Sequence, residues 1–135
     1  MNNIGEKRGT VQHDKRIRQL VRFSGIKYGS ITPTDIDMSL DYHKKLFVFC
    51  EFKLKGTEVL DGQKMHLEAL VDGLGQNAIA FICEHDIEDA SQDVIAADAI
   101  VKSYYYCGEW TKAKNAKTVK WCIDWFLSAK TKQKG

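Results

Sequence analysis

Leu46-Phe47-Val48-Phe49-Cys50-Glu51-Phe52-Lys53-Leu54 is the stretch that decides how this chain folds. Aromatic and β-branched side chains favour extended backbone. A period of two puts Phe47, Phe49, Glu51 and Lys53 on one face and Val48, Cys50, Phe52 and Leu54 on the other. An inner strand should resist charge, because an isolated charge is costly to desolvate. This one nevertheless carries Glu51 and Lys53 on the same side.

Upstream, Ile36 to Tyr42 also alternates, with Ile36, Met38 and Leu40 on one face and Asp37, Ser39 and Asp41 on the other. His43-Lys44-Lys45 is a polar turn, so an antiparallel hairpin is expected. Downstream, Gly56 leads to a helix starting at about Glu58 or Gly62 and ending at Leu74. Leu60, Leu67, Leu70, Val71 and Leu74 are expected to form its buried stripe, with Met65 near the edge. Residues 77–84 read as a strand covered on both faces. The connection is long enough for a parallel β-α-β unit. An acidic loop over 84–93 precedes an extended segment at 99–106, and Gly108 marks a turn. Thr118 to Ala129 reads as a final helix with Val119, Cys122, Ile123, Phe126 and Leu127 inward and Trp121 and Trp125 on its flank. A short helix is also expected over 12–23. The sum is a small mixed α/β sandwich.

The 135 residues suit one domain at 12–129, with a flexible basic arm at 1–11 and a basic tail at 130–135. Residues 1–30 hold seven Lys or Arg against two acids, and residues 109–135 repeat that ratio. The stretch between them has six basic residues against fourteen acidic ones. Basic ends suit phosphate and an acidic middle suits cations. Cys50, Cys83, Cys107 and Cys122 form no Cys-x-x-Cys pair and read as buried free thiols in a reducing, cytoplasmic setting. No apolar run suggests a membrane span, and no secretory-signal pattern opens the chain. The spacing of His13, His43, His66 and His85 gives no zinc motif. No P-loop or dinucleotide-binding glycine pattern occurs.

The hairpin brings Asp37 towards Glu51. Two nearby carboxylates repel unless a cation lies between them, and Mg²⁺ prefers oxygen ligands while retaining water. Asp37 and Glu51 are therefore candidate metal ligands, with the Phe52 carbonyl as a third. Lys53 would position water or stabilise charge on a phosphate oxygen. Asp35 shares the parity of Asp37 and competes for the first ligand position. Arg16, Arg18, Arg22, Lys44 and Lys45 are candidate contacts to a nucleic-acid backbone. Tyr104, Tyr105 and Tyr106 cannot all face one way, so at least one belongs to the core or an interface.

Residues Ile31-Thr32-Pro33-Thr34-Asp35-Ile36-Asp37, followed by Val48-Phe49-Cys50-Glu51-Phe52-Lys53, resemble the PD-(D/E)XK nuclease superfamily, and more narrowly its small phage-type endonucleases and Holliday-junction-resolvase-like members. Gly62-Gln63 resembles the opening of the helix that follows this motif. The resemblance implies a restriction-endonuclease-like mixed β-sheet flanked by helices. It also implies a Mg²⁺- or Mn²⁺-dependent deoxyribonuclease in which Asp37, Glu51 and Lys53 are catalytic and Gln63 supports them. Asp14 and Glu6 are the acids available for a further ligand from the first helix. A junction substrate would imply a homodimer, because two symmetric nicks need two sites. The alternative is a catalytically inactive nucleic-acid-binding or structural subunit.

Overall fold

The structure, a computed structural model, describes residues 21–132. The chain divides into two units, at Met1–Pro33 and Thr34–Gly135. In the first, Tyr28 and Ile31 exchange backbone hydrogen bonds of 2.9 and 3.0 Å around Gly29-Ser30. Residues 21–23 are not helical, and the rest of the helix expected over 12–23 lies outside the described residues, as does the arm at 1–11.

The second unit is an α/β domain built on one five-stranded mixed sheet in the order β1-β2-β3-β4-β5. The strands are β1 (Met38–Tyr42), β2 (Leu46–Leu54), β3 (Ala78–His85), β4 (Ile100–Tyr106) and β5 (Glu109–Thr118). Helix α1 (Asp61–Leu74) connects β2 to β3, and helix α2 (Val119–Lys132) follows β5. β2 and β3 pair in parallel, while the other neighbouring pairs are antiparallel. The expected hairpin and β-α-β crossover are both present. His43 and Lys44 reverse the chain between β1 and β2 at φ 57° and 59°.

Period-two alternation divides the core into two layers. Val48, Cys50, Ile79, Phe81, Cys83 and Val101 pack with Val119 and Phe126 of α2. Phe49, Ala78, Ala80, Ile82 and Tyr105 pack with Leu67 and Val71 of α1. Six successive residues of β3 are buried because the strand is covered on both sides. The alternation predicts that Ile36 shares a face with Met38 and Leu40, and it does not. It precedes β1, escapes the pleat and packs on the α1 side, whereas the other two pack on the α2 side.

The α1 stripe is narrower than its leucines suggest: Leu67 and Val71 are buried, but Leu60 and Met65 are exposed and Leu74 is at the margin. Leu60 stands at the N-cap, with φ −64° and ψ 146°, and makes no side-chain cap bond. Ser accepts a backbone N–H there and Leu cannot. Leu60→Ser is therefore expected to stabilise the domain by about 1 kcal/mol. An unchanged midpoint in urea would show that the cap is already satisfied by water. Gly75 ends the helix at φ 69°, its N–H bonding to the Val71 carbonyl.

β5 has no counterpart in the sequence reading. Cys107 and Gly108 form the two-residue turn that starts it, with φ of 50° and 84°. Its Ala, Asn and Lys residues are poor strand formers, and pairing with β4 overrides that preference. Lysines on an edge strand also discourage pairing with other chains. Register slips within it: Ser103 pairs with Lys112 but Val101 pairs with Lys117, so the segment around Lys114 and Asn115 bulges.

Cys50 and Cys83 are buried as expected, but Cys107 is exposed on its turn. Contact with Cys50 and then burial push the Cys83 thiol well up, and burial raises Cys122. These two thiols are thereby kept from ready thiolate formation. The final helix extends to Lys132, and Lys130, expected in a free tail, is buried. Its Nζ donates to the Tyr106 hydroxyl at 2.7 Å and lies 5.2 Å from that ring's centroid. Residues 133–135 lie outside the described residues. Among the described residues no helix is long and apolar enough to cross a membrane.

Candidate active site

The sheet's pleat and the β1–β2 register bring Asp37 and Glu51 together. Met38 pairs with Cys50, so one step further outward sets Asp37 against Glu51. The Asp37 N–H donates to Glu51 Oε2 at 2.8 Å, and the Phe52 N–H donates to Asp37 Oδ2 at 2.8 Å. Glu51 therefore braces the backbone of Asp37, and Asp37 braces that of Phe52, the next residue of β2. Their remaining oxygens, Oε1 and Oδ1, have no protein donor among the described residues.

Glu51 is only 3% exposed. Burial holds its carboxyl above the usual carboxylate range. The Asp37 N–H opposes that rise, while the negative charges of Asp37 and Asp35 add to it. Among the described residues no basic side chain forms an ion pair with Glu51. Asp35 and Asp37 both lie before β1 and are exposed. The direct hydrogen bonds to Glu51 and Phe52 belong to Asp37, and Asp35 acts on Glu51 through charge alone.

Lys53 follows Glu51 on the same face, but it is anchored elsewhere. The parallel register sets Lys53 opposite Glu84. Its Nζ lies 3.2 Å from Glu84 Oε2 and donates to the Thr57 carbonyl at 2.7 Å. Glu84 and Thr57 were not singled out from the sequence. Alternation gives the face of Lys53, but only the strand register gives its partner.

A cleft of about 500 Å³ opens beside Lys53, with Lys64, Lys102 and Lys112 on its wall together with Glu58 and Asp61. Four lysines against two acids make its wall net basic. Lys64 lies 5.1 Å from the Trp110 ring centroid, a contact that orients it. Gln63 is half-buried in the first turn of α1 and is not part of the cleft wall.

Comparisons with family models, curated proteins and solved structures gave no match.

Of the other expected contacts, Lys44 and Lys45 lie apart from this cluster. They are exposed in the β1–β2 turn, at the far end of β2 from Glu51. Leu46 and Glu51 are five residue steps apart, about 17 Å at strand rise. Arg22 is exposed in the first unit, while Arg16, Arg18, Asp14 and Glu6 lie outside the described residues. No group of three or more His, Cys, Asp or Glu residues arranged to hold a metal occurs among the described residues. Asp37 and Glu51 form a two-carboxylate donor set. Such a set fits a hard ion that keeps several of its waters, as Mg²⁺ does, and does not fit a closed protein cage.

Proposed function

We propose that this chain is a metal-dependent DNA endonuclease with a restriction-endonuclease-like sheet, using Asp37 and Glu51 to hold Mg²⁺ or Mn²⁺ and Lys53 to address the phosphate. The observation that carries the reading is Glu51, a buried carboxylate facing two more carboxylates and no described cation. A divalent ion would relieve that repulsion. When bound, it would polarise a phosphoryl oxygen and lower the pKa of its water.

The chain's own residues supply the rest. Asp37 and Glu51 would hold the ion, and their hydrogen bonds to the backbone N–H groups of Phe52 and Asp37 limit their own movement. Lys53 would exchange Glu84 for a phosphate oxygen and stabilise charge developing there. Lys64, Lys102 and Lys112 would hold neighbouring phosphates without reading sequence. A four-way-junction substrate would require two copies of the chain to place paired nicks.

Linear, single-stranded, flapped and four-way-junction DNA, offered with Mg²⁺ or Mn²⁺, test this reading. At least one substrate should be cut only with metal. Glu51→Ala and Lys53→Ala should each lower the rate by about 100-fold or more. DNA that is bound but never cut would favour an inactive nucleic-acid-binding subunit. The Lys53–Glu84 pair supports that second reading, since it draws the lysine away from the acids. Neither cleavage nor metal nor DNA binding would remove both readings.

A further inference from the structure

On the opposite side of the sheet from α1, the bulge of β5 and helix α2 enclose a groove of about 350 Å³. Trp121 and Trp125 line it, and each is 48% exposed. They sit four residues apart on α2, so about 6 Å of helical rise separates them. That exceeds the spacing of about 3.4 Å between successive stacked nucleotides along one strand of a duplex. Each ring can therefore address a different base.

Charge accompanies these aromatic faces. Lys114 and Lys117 line the groove from β5, Lys112 is shared with the cleft beside Lys53, and Lys132 borders the adjoining hollow on α2. Lys117 lies 4.7 Å from the Trp121 ring centroid. Among the described residues Asp124 is the acid of this surface, and Lys120 already holds it at 2.7 Å. We propose that this groove binds single-stranded nucleic acid, its tryptophans stacking on bases and its lysines following the phosphates. Exposed aromatic rings beside basic side chains are the combination that unpaired strands require. A duplex keeps its base faces inside the stack, away from such rings. A second copy of the chain is disfavoured, because a two-fold contact would set this lysine-rich patch against itself.

The groove is separate from the carboxylates and needs no metal, so it can be tested in EDTA. A fluorescently labelled (dT)12 strand is the probe, read by anisotropy and by quenching of tryptophan emission. The oligonucleotide should bind, and affinity should fall as salt rises. Trp121→Ala/Trp125→Ala should weaken binding about ten-fold or more. Lys114→Glu should weaken it and flatten the salt dependence, while Met65→Ala, at an exposed side chain of α1 outside the groove, should leave it unchanged. Heparin, a polyanion without bases, should not reproduce the quenching. Circular dichroism checks that the double variant folds. If it does not, the exposed Lys114→Glu variant carries the test. The proposal is overturned if (dT)12 does not bind or if the groove variants bind it as wild type does. It is also overturned if sedimentation shows a dimer that the double variant dissolves. Loss of cleavage alone would bear on the proposed nuclease site and leave this groove standing.

Discussion

Glu51→Gln is expected to raise the melting temperature of the metal-free protein at neutral pH and, under the proposed metal site, to abolish stabilisation by added Mg²⁺. Burial and the neighbouring acids raise the Glu51 carboxyl above its unfolded value. The folded state therefore holds this proton more tightly than the unfolded state does. Its stabilising contribution is fully present below the unfolded pKa and is lost as pH rises through the elevated folded value. At neutral pH the wild type must bury a charge or retain a proton against the solution, and Gln removes that conflict. Its amide oxygen still accepts the Asp37 N–H. In the wild type, Mg²⁺ at about 100 times its dissociation constant would add about 2.7 kcal/mol. Thermal melts from pH 4 to pH 8, with and without Mg²⁺, read both effects. A wild type whose stability rises across this range, with no metal response, would contradict the account of Glu51.

Phe81→Ala should produce the largest loss of stability, about 3–5 kcal/mol. Phe81 is 1% exposed at the centre of β3 and packs in the layer facing α2. Close-packed neighbours cannot fully fill the space that the ring leaves. A domain of this size has only about 5–15 kcal/mol to lose. Met65→Ala, at a side chain 66% exposed, should stay within about 0.5 kcal/mol. Denaturant titrations of the two variants compare them directly. Equal midpoints would mean that Phe81 is not in the cooperative core.

The parts of the fold that sequence made legible are those where side-chain period and burial agree. Phe47 to Lys53 alternate because both faces of β2 are specified, and the apolar run from Ala78 to Cys83 reflects a strand with no solvent face. β5 was illegible because its stability comes from β4 rather than from its own residues. Lys112 and Lys114 would suit a loop equally well. At the candidate site, parity placed Glu51 and Lys53 on one face, and the short hairpin placed Asp37 beside Glu51. The Lys53–Glu84 bond lay beyond such reasoning, since the span of α1 does not state which residues of two parallel strands face each other. The exposed Leu60 shows the same limit: an apolar letter beside a helix need not belong to its buried stripe.

The parallel pairing of β2 with β3 has a consequence in time. The two marginal hairpins join neighbouring stretches of chain, whereas Lys53 must find Glu84 across the whole of α1. Hairpins close in about 1–10 μs, while distant pairings wait on a larger loss of chain entropy. The central seam is therefore expected to close late in folding. Cys50 and Cys83 come from the two sides of that seam, so their sulfurs meet solvent oxidants until it closes. Refolding yield should consequently depend on reductant during this interval and lose that dependence afterwards. The wall of the lysine cleft is also split across the seam, with Lys53 before it and Lys102 and Lys112 after it. A nascent chain that has emerged only as far as α1 thus carries the carboxylates but not the completed cleft, and any chemistry needing both begins only after the carboxyl-terminal half arrives.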